Sequence, residues 1–353
     1  MPEQRVPVLP RIGMLSFAHY HANFWSEVFA ARGLLAGVWD DDRTRGEEAA
    51  NRFGVAYYPD LAALLAVCSA VAVCSETARH PALIQEAALL GLAVLTEKPI
   101  AASLADGDRI ARTVREHGVL FMQSFPKRFD PVSHYLKTLV DTRALGRLSL
   151  VRIRHGHYYG LDPEFKHRWY VQPDLAGGGA LLDEGIHGAD LLGWLFGMPE
   201  SVTAVISDAA LGLPVEDLGI ATYTFAGGLL AELTASFSFA AADVSIEMYG
   251  SGGTVLVAGV DLASRDITSG DFVRIHRRTG PPVAGSPPRW ETVALTPRFK
   301  LGEFHQQNAI AFADCLIQGT APPITIDDGL RALRMIDAAY RAARSGQRQE
   351  LLP

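Results

Sequence analysis

Over the first 125 residues, short apolar runs alternate with stretches whose apolar positions recur at helical spacing. The apolar runs Arg11–Phe17, Leu34–Asp40, Val55–Tyr58, Ala70–Cys74, Ala93–Glu97 and Leu120–Ser124 read as strands. Between them, Ala22–Arg32, Thr44–Phe53, Leu61–Val67, Pro81–Leu90 and Leu104–His117 read as helices. Gly54, Gly91 and Gly118 each stand just past a helix, where a left-handed residue ends it, and Pro99 halts the fifth apolar run. Strands and helices alternating in this way predict an α/β layer, a Rossmann-type doubly wound parallel sheet.

After Phe125 the rhythm changes. A helix is predicted over Pro131–Leu139, a strand over Leu148–His157, then an irregular loop holding Trp169, then a helix carrying Asp183 and His187. From Ser201 to Leu295 the chain reads as strands with turn signals, including Gly219–Phe225 and Leu229–Phe239 around Gly227-Gly228. Ser245–Gly250 and Thr254–Val257 flank Gly252-Gly253 as a hairpin. Gly280–Arg289, with four prolines, reads as a loop, and Phe304–Gln318 and Asp328–Arg344 as helices. The expected division is a dinucleotide-binding domain over 1–125 and an α+β domain over 126–353, built on a large, mostly antiparallel sheet for substrate binding and oligomerisation.

Composition narrows the function. The chain has 353 residues, 48% hydrophobic and 20% charged, and is long enough for two cores. A net charge of −7 with no basic stripe argues against a nucleic-acid partner. Cys68, Cys74 and Cys315 have neither metal-ligand spacing nor even pairing, which suits reduced thiols in the cytoplasm. Met1–Pro10 lacks a signal-peptide pattern, and no apolar run reaches the ~20 residues of a membrane span.

The chemistry concentrates in Gly177-Gly178-Gly179-Ala180-Leu181-Leu182-Asp183-Glu184-Gly185-Ile186-His187-Gly188-Ala189-Asp190. On one continuous helix Asp183 and His187, four apart, share a face, with Asp190 on the same stripe. A carboxylate and an imidazole so placed can move a proton, or can be a buried His with its satisfying Asp. Gly185 and Gly188 each weaken a helix by roughly 1 kcal/mol, so some close approach is expected there. A second element, Thr96-Glu97-Lys98-Pro99, sits at a strand end. At the first turn a dinucleotide fingerprint would place Gly, Gly and Gly/Ala at positions 16, 18 and 21; the chain has Ser16, Ala18 and His21. Asp40 ends the second strand, where an acid accepts from the adenosine ribose, and Asp41 would repel a 2′-phosphate. That favours NAD over NADP, although the acids equally suit the start of the following helix.

Together these pieces resemble the Gfo/Idh/MocA family, the glucose-fructose oxidoreductase and inositol dehydrogenase-like enzymes, over nearly the whole chain. Ala70 to Lys98-Pro99 resembles its strand, helix and Glu-Lys-Pro element. Phe125-Pro126-Lys127-Arg128-Phe129-Asp130-Pro131 resembles its domain-joining segment. Trp169 followed by the three glycines and Asp183-x-x-x-His187 resembles its catalytic helix, and Phe304–Glu350 its closing pattern. The resemblance implies a pyridine-nucleotide oxidoreductase acting on a sugar, cyclitol or related polyol, assembled as a homodimer or homotetramer. Lys98, Asp183 and His187 fall at its catalytic positions, with Trp169 beside the substrate. Ser16, Ala18, Asp40, Ser75, His80, Glu97 and Lys98 fall where such proteins line the cofactor. The first turn and Ser75-Glu76-Thr77-Ala78-Arg79-His80 depart from the family's pattern. Two rival classes stand beside this reading. His155 and His157, two apart on a strand, could join His187 and Asp183 around a metal in a hydrolase or lyase. A non-catalytic sensor could retain the fold alone.

Overall fold

The apolar runs of the first 125 residues leave no face for water. β1 (Ile12–Leu15), β3 (Ala70–Val73) and β4 (Ala93–Thr96) are buried at every position, as strands covered by helices on both faces must be. In this structure, a computed structural model describing residues 9–241, 244–261, 266–267, 272–278, 280–281, 287–295 and 302–351, they join β2 (Leu35–Trp39) and β5 (Phe121–Gln123). The five strands form one parallel sheet in the order β2-β1-β3-β4-β5. The order reverses at β1/β3, and the crevice beyond those strand ends is where such sheets bind ligands. The strand predicted over Val55–Tyr58 is only an isolated bridge between Tyr57 and Val38. Pro59, which has no N–H to give, follows at once and prevents a ladder.

The second sheet runs β14-β13-β11-β10-β6-β9-β8-β7-β15, with β12 paired to β11. Its strands are β6 (Leu148–Gly156), β7 (Ser201–Ser207), β8 (Leu218–Phe225), β9 (Leu229–Ser236), β10 (Val244–Gly250), β11 (Gly253–Asp261), β12 (Asp266–Ile267), β13 (Val273–Arg277), β14 (Glu291–Thr292) and β15 (Gln349–Glu350). β6 and β9 run parallel and the other pairs antiparallel. The predicted hairpin is β10–β11, while the predicted loop 280–289 lies partly outside the described residues. Burial alternates along β8 and β9, so one face of the sheet meets the core. The helix Gly185–Phe196 packs there on β6 and β9.

The last two helices tie the layers together. Ile326–Ser345 packs on Gly185–Phe196 and β7, and also on β5 and the helix Leu104–Glu116 of the first sheet. Glu303–Gln318 packs on the helix His21–Ala31. At the centre of this joint Arg128 donates to both oxygens of Asp190, at 2.8 and 2.6 Å, and to Asp328 at 3.0 Å. Arg128 and Asp190 are buried, so neither charge can find water if its partner goes. Arg128→Met is therefore expected to cost about 3–5 kcal/mol, because it strands the Asp190 carboxylate. Urea unfolding measures this, and a loss under 1 kcal/mol would show that the cluster is not what joins the layers.

Candidate active site

The three glycines answer to packing. Gly177 holds φ +84°, and a Cβ on Gly179 would lie 2.0 Å from the Glu216 carbonyl oxygen. The Glu216 carboxylate accepts from Gly179 N at 3.0 Å, from Leu181 N at 3.0 Å and from the Tyr340 hydroxyl at 2.5 Å. It thus satisfies donors that a helix start leaves open. The helix that follows is not continuous, contrary to the expectation from spacing. It divides into Ala180–Asp183 and Gly185–Phe196, with Glu184 at the junction. Asp183 pairs with Lys98, and His187 Nδ1 has no hydrogen-bond partner among the described residues. Asp183 turns to Lys98, Glu184 to β6, and Asp190 to Arg128. The close approach expected at Gly188 is to the sheet: a Cβ there would lie 2.3 Å from Leu233 of β9.

This segment forms one wall of a cavity of about 510 Å³ at the carboxyl end of the parallel sheet. Lys98, just past β4, donates to Asp183 Oδ1 at 2.5 Å and to the Asp183 carbonyl at 2.9 Å. Burial alone would lower the Lys98 pKa, but Asp183, Glu184 and Glu97 outweigh it and hold the ammonium above its usual value. On the same wall His187 has its pKa held well below 6.5 by burial, then by Lys98 and His155. Its ring stands 4.9 Å, centre to centre, from that of His155. Glu184 Oε2 lies 2.8 Å from His155 Nδ1, and Oε1 lies 3.6 Å from His157 Nε2. Burial opposes the Glu184 charge, but His155, His157 and Lys98 outweigh it and keep the carboxyl ionised.

Two groups of side chains bring three ligand-type atoms within 4.8 Å of one another: His19, Cys74 and Glu97, and His157, Asp183 and Glu184. The ring protons work against a metal at either. His19 Nδ1 accepts from His21 N and His157 Nδ1 from Tyr159 N, each at 3.2 Å. A neutral ring accepting at Nδ1 carries its proton on Nε2 and offers no second lone pair.

At the nucleotide end Ser16 takes φ +72°, the left-handed conformation the first fingerprint glycine would supply. Both Asp40 oxygens are already engaged. Phe17 N donates at 2.7 Å, Asp42 N at 3.0 Å, and Arg45 lays its guanidinium across both at 2.9 and 2.6 Å. Arg45 also bridges to Asp41, which Arg79 contacts from the other side at 2.7 Å. The nicotinamide end fits a cofactor better. Glu97 Oε1 is buried with no hydrogen-bond partner among the described residues, beside Lys98. A bound ribose hydroxyl or carboxamide would satisfy that orphan.

Of the positions expected at the site, Ala18, Lys98, Trp169, Asp183 and His187 line the cavity. Trp169 donates its indole N–H to the Ala18 carbonyl at 3.0 Å and so closes over the first turn. Ser16, Asp40, Ser75, His80 and Glu97 are buried around it without lining it. The two His80 nitrogens face the carbonyls of Pro99, at 3.0 Å, and Ser75, at 3.2 Å, so this ring props the Glu-Lys-Pro turn from behind. Sequence reading passed over Glu184, Lys127, His19, Tyr170 and His305, which all line the cavity. Glu184 had a signal, since an acid beside Asp183 on a largely apolar segment needs a partner; His305 had none.

Residues 12–125 match the family described as an oxidoreductase family with an NAD-binding Rossmann fold, and residues 133–256 match the GFO/IDH/MocA C-terminal domain. D-apiose dehydrogenase of Paraburkholderia graminis is 25% identical over 353 residues, covering 96% of this chain and 88% of its own. Myo-inositol 2-dehydrogenase of Thermotoga maritima is 29% identical over 199 residues, 54% of this chain and 57% of its own. The solved aldose-aldose oxidoreductase of Caulobacter crescentus superposes with a TM-score of 0.78 at 25% identity, covering 97% of this chain and all of that one (100%).

The wall's neutral histidines bear on stability. His19, His155, His157 and His187 all have their pKa lowered by burial, His155 to about 4. Their unfolded value is near 6.5, so below that pH the unfolded chain binds more protons than the folded one. Glu184, held ionised, acts in the same direction as acid titrates it. Stability is expected to fall as pH drops from 6.5 towards 4, with net proton uptake on unfolding. Denaturant midpoints at pH 7, 6 and 5 measure it, and equal midpoints would mean that these rings are not buried neutral.

Proposed function

We propose the following roles from the premise that the chain belongs to the Gfo/Idh/MocA family of NAD(P)-dependent oxidoreductases. Its substrate is a sugar, cyclitol or related polyol, oxidised at a secondary alcohol or formed by the reverse reduction. The observation that carries this reading is the Lys98–Asp183 contact at 2.5 Å on the wall that His187 shares. The bound nicotinamide would supply the hydride acceptor or donor. Glu97, the Ser16–Ala18 turn and Asp40 would hold the nucleotide. Lys98 puts fixed positive charge where alkoxide character develops, in a site that excludes most water. Asp183 orients the lysine and can accept from a substrate hydroxyl. His187, uncharged at neutral pH, can take the hydroxyl proton. Trp169 covers the substrate from the first-turn side.

One observation favours the sensor alternative. The N–H groups of Phe17 and Ala18 are spent within the protein, on Asp40 and on Ser16 Oγ at 3.1 Å, so a pyrophosphate must exchange them. Dinucleotide binding without turnover of any polyol would identify that alternative. The division at residue 125, cytoplasmic location and a homodimer or homotetramer remain part of the proposal. Cys68, Cys74 and Cys315 are unpaired, and Val205 and Leu230, at 65% and 43% exposure, lie on an open face of the second sheet.

Binding and turnover with NAD(H) and NADP(H) across polyols and keto-sugars is the direct test; no activity with any of them would sink the reading. His187→Asn is expected to lower kcat by roughly 10²–10⁴-fold as a lost general base. The acid limb of the oxidative rate should lie below pH 6.5, with a plateau above it, because the neutral ring is the active form; a limb above pH 7 would contradict this. Arg45→Ala should free the Asp40 carboxylate for a ribose hydroxyl and remove a cation that could serve a 2′-phosphate. NAD(H) should then bind about 3–10-fold tighter and NADP(H) weaker by a similar factor, the scale of a partly exposed ion pair. Calorimetric titration measures both, and equal shifts for the two nucleotides would show that Arg45 does not select between them.

A further inference from the structure

Among the described residues, Glu184 is the one buried carboxylate on the cavity wall that the roles above leave unused. It follows Asp183 at the junction of the two helices, where Asp183 faces Lys98 and Glu184 faces the end of β6. Glu184 Oε2 lies 2.8 Å from His155 Nδ1, close enough to interact with a charge on the ring, although the nitrogen makes no well-directed hydrogen bond to it. A proton on Nδ1 would face that carboxylate and leave Nε2 as an acceptor. His187 has no such acid. Its Nδ1 is buried without a hydrogen-bond partner among the described residues. The two rings lie 4.9 Å apart, centre to centre, on the same cavity wall.

We propose that the Glu184–His155 pair is the seat of the proton released in oxidation, with Glu184 a positioning residue that fixes the ring and offsets its charge. This rests on the oxidoreductase reading above. The substrate's C–H electron pair leaves as hydride to NAD(P)⁺ as its O–H bond breaks and the C=O bond forms. The proton passes through His187 to His155 Nε2. The resulting imidazolium keeps its Nδ1–H on Glu184 and later releases its proton to solvent through the cavity. In reduction the same pair returns the proton.

The charges around His155 divide clearly. Lys127, on the segment after β5, and Lys98, after β4, oppose a second positive charge; Glu184 favours it. His187 on its helix and His157 just past β6 are neutral neighbours, with their own pKa values lowered by burial. A proton on His187 meets the same two lysines without a carboxylate against its ring. Of these two rings it is His155 that has a carboxylate oxygen 2.8 Å from a ring nitrogen.

Three measurements on the full-length protein test this. In the first, nitrogen-15 histidine spectra without cofactor should show the His155 ring as Nδ1–H at pH 7; an Nε2–H tautomer overturns the proposal without reference to activity. In the second, Glu184→Gln keeps the shape and removes the charge. With a polyol that the parent enzyme turns over, kcat should fall about 10–100-fold with KM changed less than threefold, and the acid limb should move to lower pH. A structural role would leave the position of that limb unchanged. In the third, Glu184→Asp retains the charge, so it should recover part of kcat and shift the limb back. A Gln variant within twofold of the parent in kcat, with an unmoved limb, overturns the proposal while leaving the oxidoreductase reading intact. Failure of the parent enzyme on every polyol would sink that reading instead, and the ring's tautomer would still be measured. Should the Gln variant not fold, His155→Asn carries the kinetic arm with the same thresholds.

Discussion

The contact between Lys98 and Asp183 is the constraint on which the site depends. It joins the carboxyl end of a parallel strand to a helix start in the second half of the chain. Lys98 is 3% exposed, so its ammonium must be paired where it stands. Every feature of the glycine-rich segment serves that placement. The glycines let the backbone press against Ala102 and Glu216, and Glu216 ties down the helix start. Glu184 keeps right-handed helical angles at φ −98° and ψ −38°, so it and Asp183 stand about 100° apart round the axis and face different partners, His155 and Lys98.

The parallel sheet was legible because its signals are local. Strands buried on both faces are apolar at each position, and Gly54 and Gly91 mark turns in the sequence itself. Lys98, Asp183, His187 and Trp169 were legible as motif positions and do share one cavity. The helix break was not. Nor was the partner of Glu184, since His155 stands on a strand 29 residues earlier in the chain. Periodicity counts residues on a regular helix and has no term for a tertiary partner. His155 and His157 were singled out for their spacing and do lie together against Glu184. The metal role suggested for them meets a ring tautomer that no sequence reveals, because Tyr159 N fixes it through the backbone.

The first turn shows the same limit from the other side. Ser16, Ala18 and His21 stand where a dinucleotide fingerprint would place Gly, Gly and Gly/Ala. Ser16 adopts the glycine conformation, and the acids beyond β2 are closed by Arg45 and Arg79. Charge signs along a sequence suggested a repulsive patch, yet in space Asp40 and Asp41 each face a guanidinium and Asp42 caps the helix that follows. The net field at the adenosine end is thus far weaker than three consecutive aspartates imply, and nucleotide choice turns on whether Arg45 stays on Asp40 or yields to a ribose.

The cavity wall combines two fixed cations, Lys98 and Lys127, with imidazoles that burial keeps neutral. Such a wall resists any further positive charge, yet oxidation of an alcohol releases a proton into it. Asp183 cannot absorb that charge, since Lys98 already neutralises it. Glu184 can, because the histidines against it are uncharged until the reaction proceeds. A buried carboxylate costs stability unless something holds it ionised. Here the Lys98 ammonium helps to do so, and the arrangement keeps a negative charge in reserve beside the ring that receives the proton.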